Sequence, residues 1–192
     1  PEHRCPAQVH DAVAAYRWAQ GNAEDLRMIP GRIGVGGDSA GGYLSAVVAQ
    51  EAKREGFEAP ALQLLIYPVT DWGWKGGSME SCANVYPLTA EIMEWFGALY
   101  LNAAPEKDDV RVSPLKEADL SGLAPAIIVT AGFAPLRDQR AAYAEKLKAA
   151  GVSVAYSCED SLPHAFTAMT GGIPAANAAC ERIARNIGAA LR

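Results

Sequence analysis

The chain has 192 residues, 50% of them hydrophobic and 20% charged, enough to bury one real core and too short to suggest two domains. Its net charge of −5 and the lack of any Lys/Arg run interleaved with aromatics argue against a nucleic-acid or anionic-membrane surface. No apolar run approaches the roughly 20 residues that span a bilayer, and no charged-then-apolar leader opens the chain, so the expected compartment is the cytoplasm, with no membrane insertion.

The four cysteines (Cys5, Cys82, Cys158, Cys180) show no CxxC spacing and read as reduced thiols, with no metal expected. Residue 1 is proline rather than methionine and an amphipathic pattern follows at once, which reads as an internal start. Val9, Ala12, Val13, Tyr16 and Ala19 repeat at helical spacing, and Gly21 is the expected stop. Arg32 to Gly36 reads as a short buried strand, and Tyr43 to Arg54 as a helix closed by Gly56. Between them stands Gly37-Asp38-Ser39-Ala40-Gly41, a serine flanked by glycines two residues away on each side. A sharp strand-to-helix turn leaves little room around such a serine and lifts its hydroxyl above the sheet edge, as in a nucleophile elbow. A nucleotide-binding glycine turn fails on spacing, because the final glycine of GxGxxG is missing and no Gly-Lys-Ser/Thr follows.

Ala61 to Tyr67, between Pro60 and Pro68, is a continuous apolar run of strand length, as for a strand covered on both faces. Residues 70–114 are irregular, except for a helix from about Thr89 to Leu101 with Thr89 as N-cap and Leu88 and Met93 placed as a hydrophobic staple. Met93, Trp95, Phe96 and Tyr100 read either as core or as the lining of a pocket. Pro125 to Ala131 repeats the strand signature, and Val152 to Tyr156 gives a weaker one. Between these two lies a helix from about Arg137 to Ala150, closed by Gly151. Ala176, Cys180, Ile183, Ile187 and Leu191 form the stripe of a final helix. Alternating strands and helices predict an α/β fold, a single domain with a mostly parallel sheet of about four strands flanked by helices.

An activated serine needs a base. Of the three histidines only His164 follows Ser39, in a loop after the last predicted strand. The chain resembles the bacterial hormone-sensitive-lipase-like esterases of the α/β-hydrolase superfamily, whose order of catalytic groups is serine, acid, histidine. The resemblance runs in order through Pro1-Glu2-His3 with Pro6-Ala7, Gly37 to Gly42, Tyr67 to Asp71, Ser113-Pro114-Leu115, Ala131 to Asp138 and His164-Ala165-Phe166. It implies the C-terminal portion of that fold, with Ser39 as nucleophile, His164 as general base, the Ala40 backbone N–H as an oxyanion donor, no cofactor, and short- to medium-chain esters as substrates. Asp38, Met93 and Phe96 are the substrate-contact candidates, with residues 70–114 as a segment lining the acyl pocket.

Two departures stand out. Ala134 occupies the family's acid position, leaving Asp138 as the substitute acid or merely a first-turn helix charge, with Glu159 and Asp160 nearer to His164 in sequence. The family's His-Gly-Gly-Gly oxyanion loop is absent, which would bare the strand before Ser39 for a missing N-terminal segment or a second copy. The alternative function is therefore an impaired or inactive hydrolase fragment serving binding or assembly.

Overall fold

The structure, a computed structural model, describes residues 2–191; Pro1, the first residue of the Pro1-Glu2-His3 match, lies outside them. Helix α1 (Ala7–Gly21) buries Val9, Val13 and Tyr16. Gly21 is its last helical residue and not a left-handed stop, since the following Asn22 N–H closes the end on the Trp18 carbonyl. Strand β1 (Val35–Asp38) then leads into helix α2 (Ala40–Glu55), which Gly56 ends in the left-handed region at φ 73°. The remaining strands and α-helices are β2 (Gln63–Ile66), a short α3 (Ser78–Ser81), α4 (Ala90–Tyr100), β3 (Ala126–Phe133), α5 (Arg137–Ala149), β4 (Val154–Pro163) and α6 (Pro174–Ala190).

The four strands form one parallel sheet in the order β1-β2-β3-β4. Parallel neighbours need helical crossovers, and α2 and α5 supply them between β1 and β2 and between β3 and β4. Alternation along β3 divides the core. Ile127, Val129 and Ala131 face α6 through Ala176, Ala179 and Ile183, whereas Ala126 and Ile128 face α2 and α5 through Ala46, Tyr143, Ala144 and Leu147. Helix α1 packs against α2 and β1, with Val13 and Tyr16 meeting Val48 and Val35.

The expected buried strand at Arg32 to Gly36 is corrected in both place and burial. It begins at Val35, and its residues alternate between half-buried and exposed, because β1 is an edge strand with β2 as its one partner among the described residues. The last strand runs well beyond Tyr156, to Pro163, which carries the chain directly to His164. Helix α4 starts as its cap predicts: the Thr89 hydroxyl accepts from the Ile92 N–H (3.1 Å), and Leu88 and Met93 share one apolar cluster.

Candidate active site

Ser39 sits between β1 and α2 at φ 52° and ψ −113°, a region that L-residues rarely occupy and that costs on the order of 1–3 kcal/mol where it is held. The surrounding backbone fixes it. The Ser39 N–H donates to the Ile66 carbonyl (2.8 Å), and its own carbonyl accepts from the Tyr43 N–H (3.0 Å) as the first turn of α2 begins. Glycine is required at 37, where a Cβ would lie 2.5 Å from the carbonyl carbon of Gly41. The expectation for Gly41 is corrected: a Cβ there meets nothing within 4 Å, and the tighter position is Gly42, where a Cβ would lie 3.0 Å from the Gly37 carbonyl oxygen and 3.2 Å from Pro68.

From the far edge of the sheet β4 delivers His164, which is buried, and Ala165 turns the chain at φ 62°. Ser39 Oγ and His164 Nε2 are 2.9 Å apart, a full hydrogen bond between residues 125 apart in sequence. Tyr67, fully buried and itself at φ 36°, lays its ring against the imidazole with centroids 4.6 Å apart. Its hydroxyl bonds Thr167 and donates to the Asp38 carboxylate (3.2 Å).

Among the described residues no carboxylate meets the other ring nitrogen. His164 Nδ1 lies 3.1 Å from Nη2 of Arg140, a guanidinium with no exposed surface on α5. Arg140 Nε donates to the Pro68 carbonyl (2.9 Å), and Nη1 is buried without a hydrogen-bond partner among the described residues. Burial, and secondly the Arg140 charge, hold the His164 pKa down at about 3 against an ordinary 6.5. Burial likewise lowers Arg140 to about 9, so it remains a cation at neutral pH.

The substitute acid is corrected. Asp138 lies in the first turn of α5, where its carboxylate accepts from the Ser78 N–H (2.8 Å) and from Arg137 Nε (2.9 Å). Burial works against ionisation there, but these donors prevail and hold its pKa below the usual carboxyl range. Glu159 pairs with Arg182 at 2.5 Å, and Asp160 is exposed. Ala134 is fully buried beside Tyr67, Leu162 and Phe166.

Beside Ser39 opens a cavity of about 390 Å³, lined mainly by apolar side chains that include Leu88, Met93, Phe96, Leu99 and Tyr100 of the α4 region, with Ala40 also in its lining. Met93 and Phe96, two of the substrate-contact candidates, are in this lining. Asp38 is not: it is exposed, faces Tyr67 and does not line the cavity. A larger hollow of about 680 Å³ beyond Trp72 and Met93 reaches neither Ser39 nor His164. Ala40 is the first residue of α2, so its N–H has no intrahelical acceptor and points from a helix N-terminus.

Sequence reasoning missed Arg140 and Tyr67. A signal for the former was present: Leu136, Arg140, Tyr143 and Leu147 fall at helical spacing on one stripe and are all fully buried. All four cysteines are free.

Comparison with known proteins agrees with this fold. A family model described as the alpha/beta hydrolase fold matches residues 1–168. The carboxylic ester hydrolase LipN of Mycobacterium tuberculosis is 48% identical over 172 residues, covering 86% of this chain and 46% of that protein. The carboxylesterase NlhH of the same organism is 42% identical over 185 residues, or 95% of this chain and 58% of the relative. Among solved structures, a thermophilic and thermostable carboxylesterase cloned from a metagenomic library superposes with a TM-score of 0.95 at 38% identity, over 100% of this chain and 66% of that one. The chain thus spans about half the length of the curated relatives it matches. With the strand-Ser39-helix elbow, the parallel sheet and the family match over most of its length, the chain belongs to the α/β-hydrolase fold family, in its hormone-sensitive-lipase-like group.

Proposed function

We propose that the site is that of a carboxylic-ester hydrolase working through an acyl-enzyme. The observation that carries this reading is the 2.9 Å contact between His164 Nε2 and a serine held in a strained elbow. Ser39 Oγ attacks the ester carbonyl carbon, its proton passes through His164 to the departing alcohol, and a water molecule then releases the acid from Ser39. The Ala40 N–H faces the developing oxyanion. Supporting the substrate class, the apolar cavity of about 390 Å³ beside Ser39 suits a short to medium acyl chain against Met93 and Phe96. The relatives named carboxylic ester hydrolase and carboxylesterase point the same way.

The edge strand β1 is read as the place where a further strand pairs, from an N-terminal segment or a second copy. The compartment is read as cytoplasmic; among the described residues no helix is long and apolar enough to cross a membrane.

The test is hydrolysis of p-nitrophenyl acetate and butyrate by the 192-residue chain beside its Ser39→Ala variant, with fluorophosphonate labelling as a second readout. Turnover and labelling that vanish in Ser39→Ala are expected. Equal activity in the two proteins sinks the nucleophile assignment, and inactivity with no labelling in both favours retention of the fold for binding or assembly.

A further inference from the structure

The ring of His164 is held at both nitrogens, and the chemistry of one holder determines what the other nitrogen can do. A guanidinium has five N–H donors and no lone pair to offer, so its contact with an imidazole nitrogen runs in one direction only. At 3.1 Å from Arg140 Nη2, His164 Nδ1 must be the acceptor. A neutral imidazole carries one proton; with Nδ1 accepting, that proton sits on Nε2. Nε2 is the atom 2.9 Å from Ser39 Oγ, so the bond runs from the ring to the serine oxygen. Turning the ring over would put carbons where both nitrogens now make contact, so the orientation is fixed by two bonds together.

We propose that Arg140 is a positioning residue that holds His164 as its Nε2–H tautomer, so that the resting imidazole donates to Ser39 and has no lone pair facing the serine proton. The tautomer follows from the two contacts alone; its consequence for catalysis rests on the hydrolase reading above. For acylation the Ser39 proton must move to an Nε2 lone pair while Oγ bonds to the carbonyl carbon. That requires the ring proton first to shift to Nδ1, where it would face the guanidinium.

The surroundings reinforce the arrangement. The guanidinium is anchored on the Pro68 carbonyl, and the titratable groups that act on its charge, Tyr67, Tyr156 and Cys158, include no carboxylate that would draw it off the ring. Tyr67 packs against the imidazole, its ring tilted by 58° with centroids 4.6 Å apart. In a serine protease, replacing the orienting aspartate by asparagine leaves the geometry intact, imposes the wrong tautomer and lowers kcat by about 10⁴. Arg140 imposes the same fault by a different route.

The decisive experiment is long-range ¹H–¹⁵N NMR of the histidine rings in the labelled full chain at pH 7, with His164→Gln used to assign the signals. The expected spectrum shows a proton bonded to Nε2 of His164 and a bare Nδ1. A proton on Nδ1, or on both nitrogens, overturns the proposal, and this wild-type result stands whether or not any variant folds. In Arg140→Met, which removes the donor but keeps the chain length, the preference for Nε2–H should be lost. Fluorophosphonate labelling of Ser39 should then accelerate by roughly 10- to 10³-fold, inside the ~10⁴ that a tautomer fault costs. An altered tautomer with an unchanged labelling rate overturns the claim that Arg140 restrains Ser39. If ester turnover proves independent of Ser39 while the spectrum is as expected, the tautomer is supported and it is the hydrolase reading that fails.

Discussion

At the scale of single residues, the site combines a strained serine, a buried neutral histidine and a buried cation. Each is costly alone, and each is held by contacts that cross the sheet. The depressed pKa of His164 makes a stability prediction. Above about pH 6.5 the ring is neutral both folded and unfolded and contributes nothing to pH dependence. As the pH falls from 6.5 towards about 3, the unfolded chain takes up a proton that the folded chain refuses, so stability is lost. One such proton corresponds to a slope of about 1.4 kcal/mol per pH unit. Denaturation series at pH 7, 6 and 5 should therefore show the wild type weakening faster than His164→Gln; parallel losses in the two proteins would contradict the depressed value. The sequence displayed Ser39 and His164 plainly, because their chemistry is tied to a motif and to chain order. It misdirected attention to Asp138, because a carboxylate four residues from the expected place looks like a substitute until the helix is built. On α5 that position faces Ser78, while Arg140 faces His164.

At the scale of elements, each long segment forms where its apolar period predicts, and the differences are at edges. Helix α4 begins at the Thr89 cap, and the helix between Gly37 and Gly56 stops at its glycine because only a left-handed residue follows. Strand boundaries moved most, since a strand ends where its partner ends, and partners are not written in the local sequence. The elbow shows how little slack the element junction has. Gly37→Ala places a methyl group 2.5 Å from the Gly41 backbone, so β1 and α2 must separate. The expected cost is about 1–3 kcal/mol, as for overpacking of a core. At this chain length that amounts to a fall in Tm of several degrees, at roughly 2–4 °C per kcal/mol. Ser39 would be displaced with it, so labelling by a fluorophosphonate should drop together with Tm. An unchanged Tm would show that the elbow relaxes more easily than its geometry implies.

At the scale of the molecule, the two faces of the sheet are covered by α6 on one side and by α2 and α5 on the other, while the two edges differ. Strand β4 is extended and ends at the site; β1 is short, and half of its residues are exposed. An edge of this kind offers backbone donors and acceptors to another strand. If a second copy is what pairs with β1, the purified chain should associate in a concentration-dependent way when followed by light scattering after size-exclusion chromatography, and a monomer at every concentration would remove the second copy as the pairing strand. The cavity beside Ser39 is likewise a property of the whole, since it exists only because α4 is held over the elbow by Val9, Tyr43, Val69 and Leu136 from distant parts of the chain.

The sequence by itself determined the α/β class, the number of strands, most helix ends and the pair Ser39–His164, because hydrophobic period, caps, glycine punctuation and a nucleophile motif are local signals. Tertiary structure alone decided what reaches the second nitrogen of that histidine. Ala134, Asp138 and Arg140 are a few residues apart on one turn-and-helix segment, and only the angle at which α5 packs on the sheet determines which of them meets the ring. That angle is set by the burial of Leu136, Tyr143 and Leu147, and it brings the guanidinium inward and leaves the carboxylate outside.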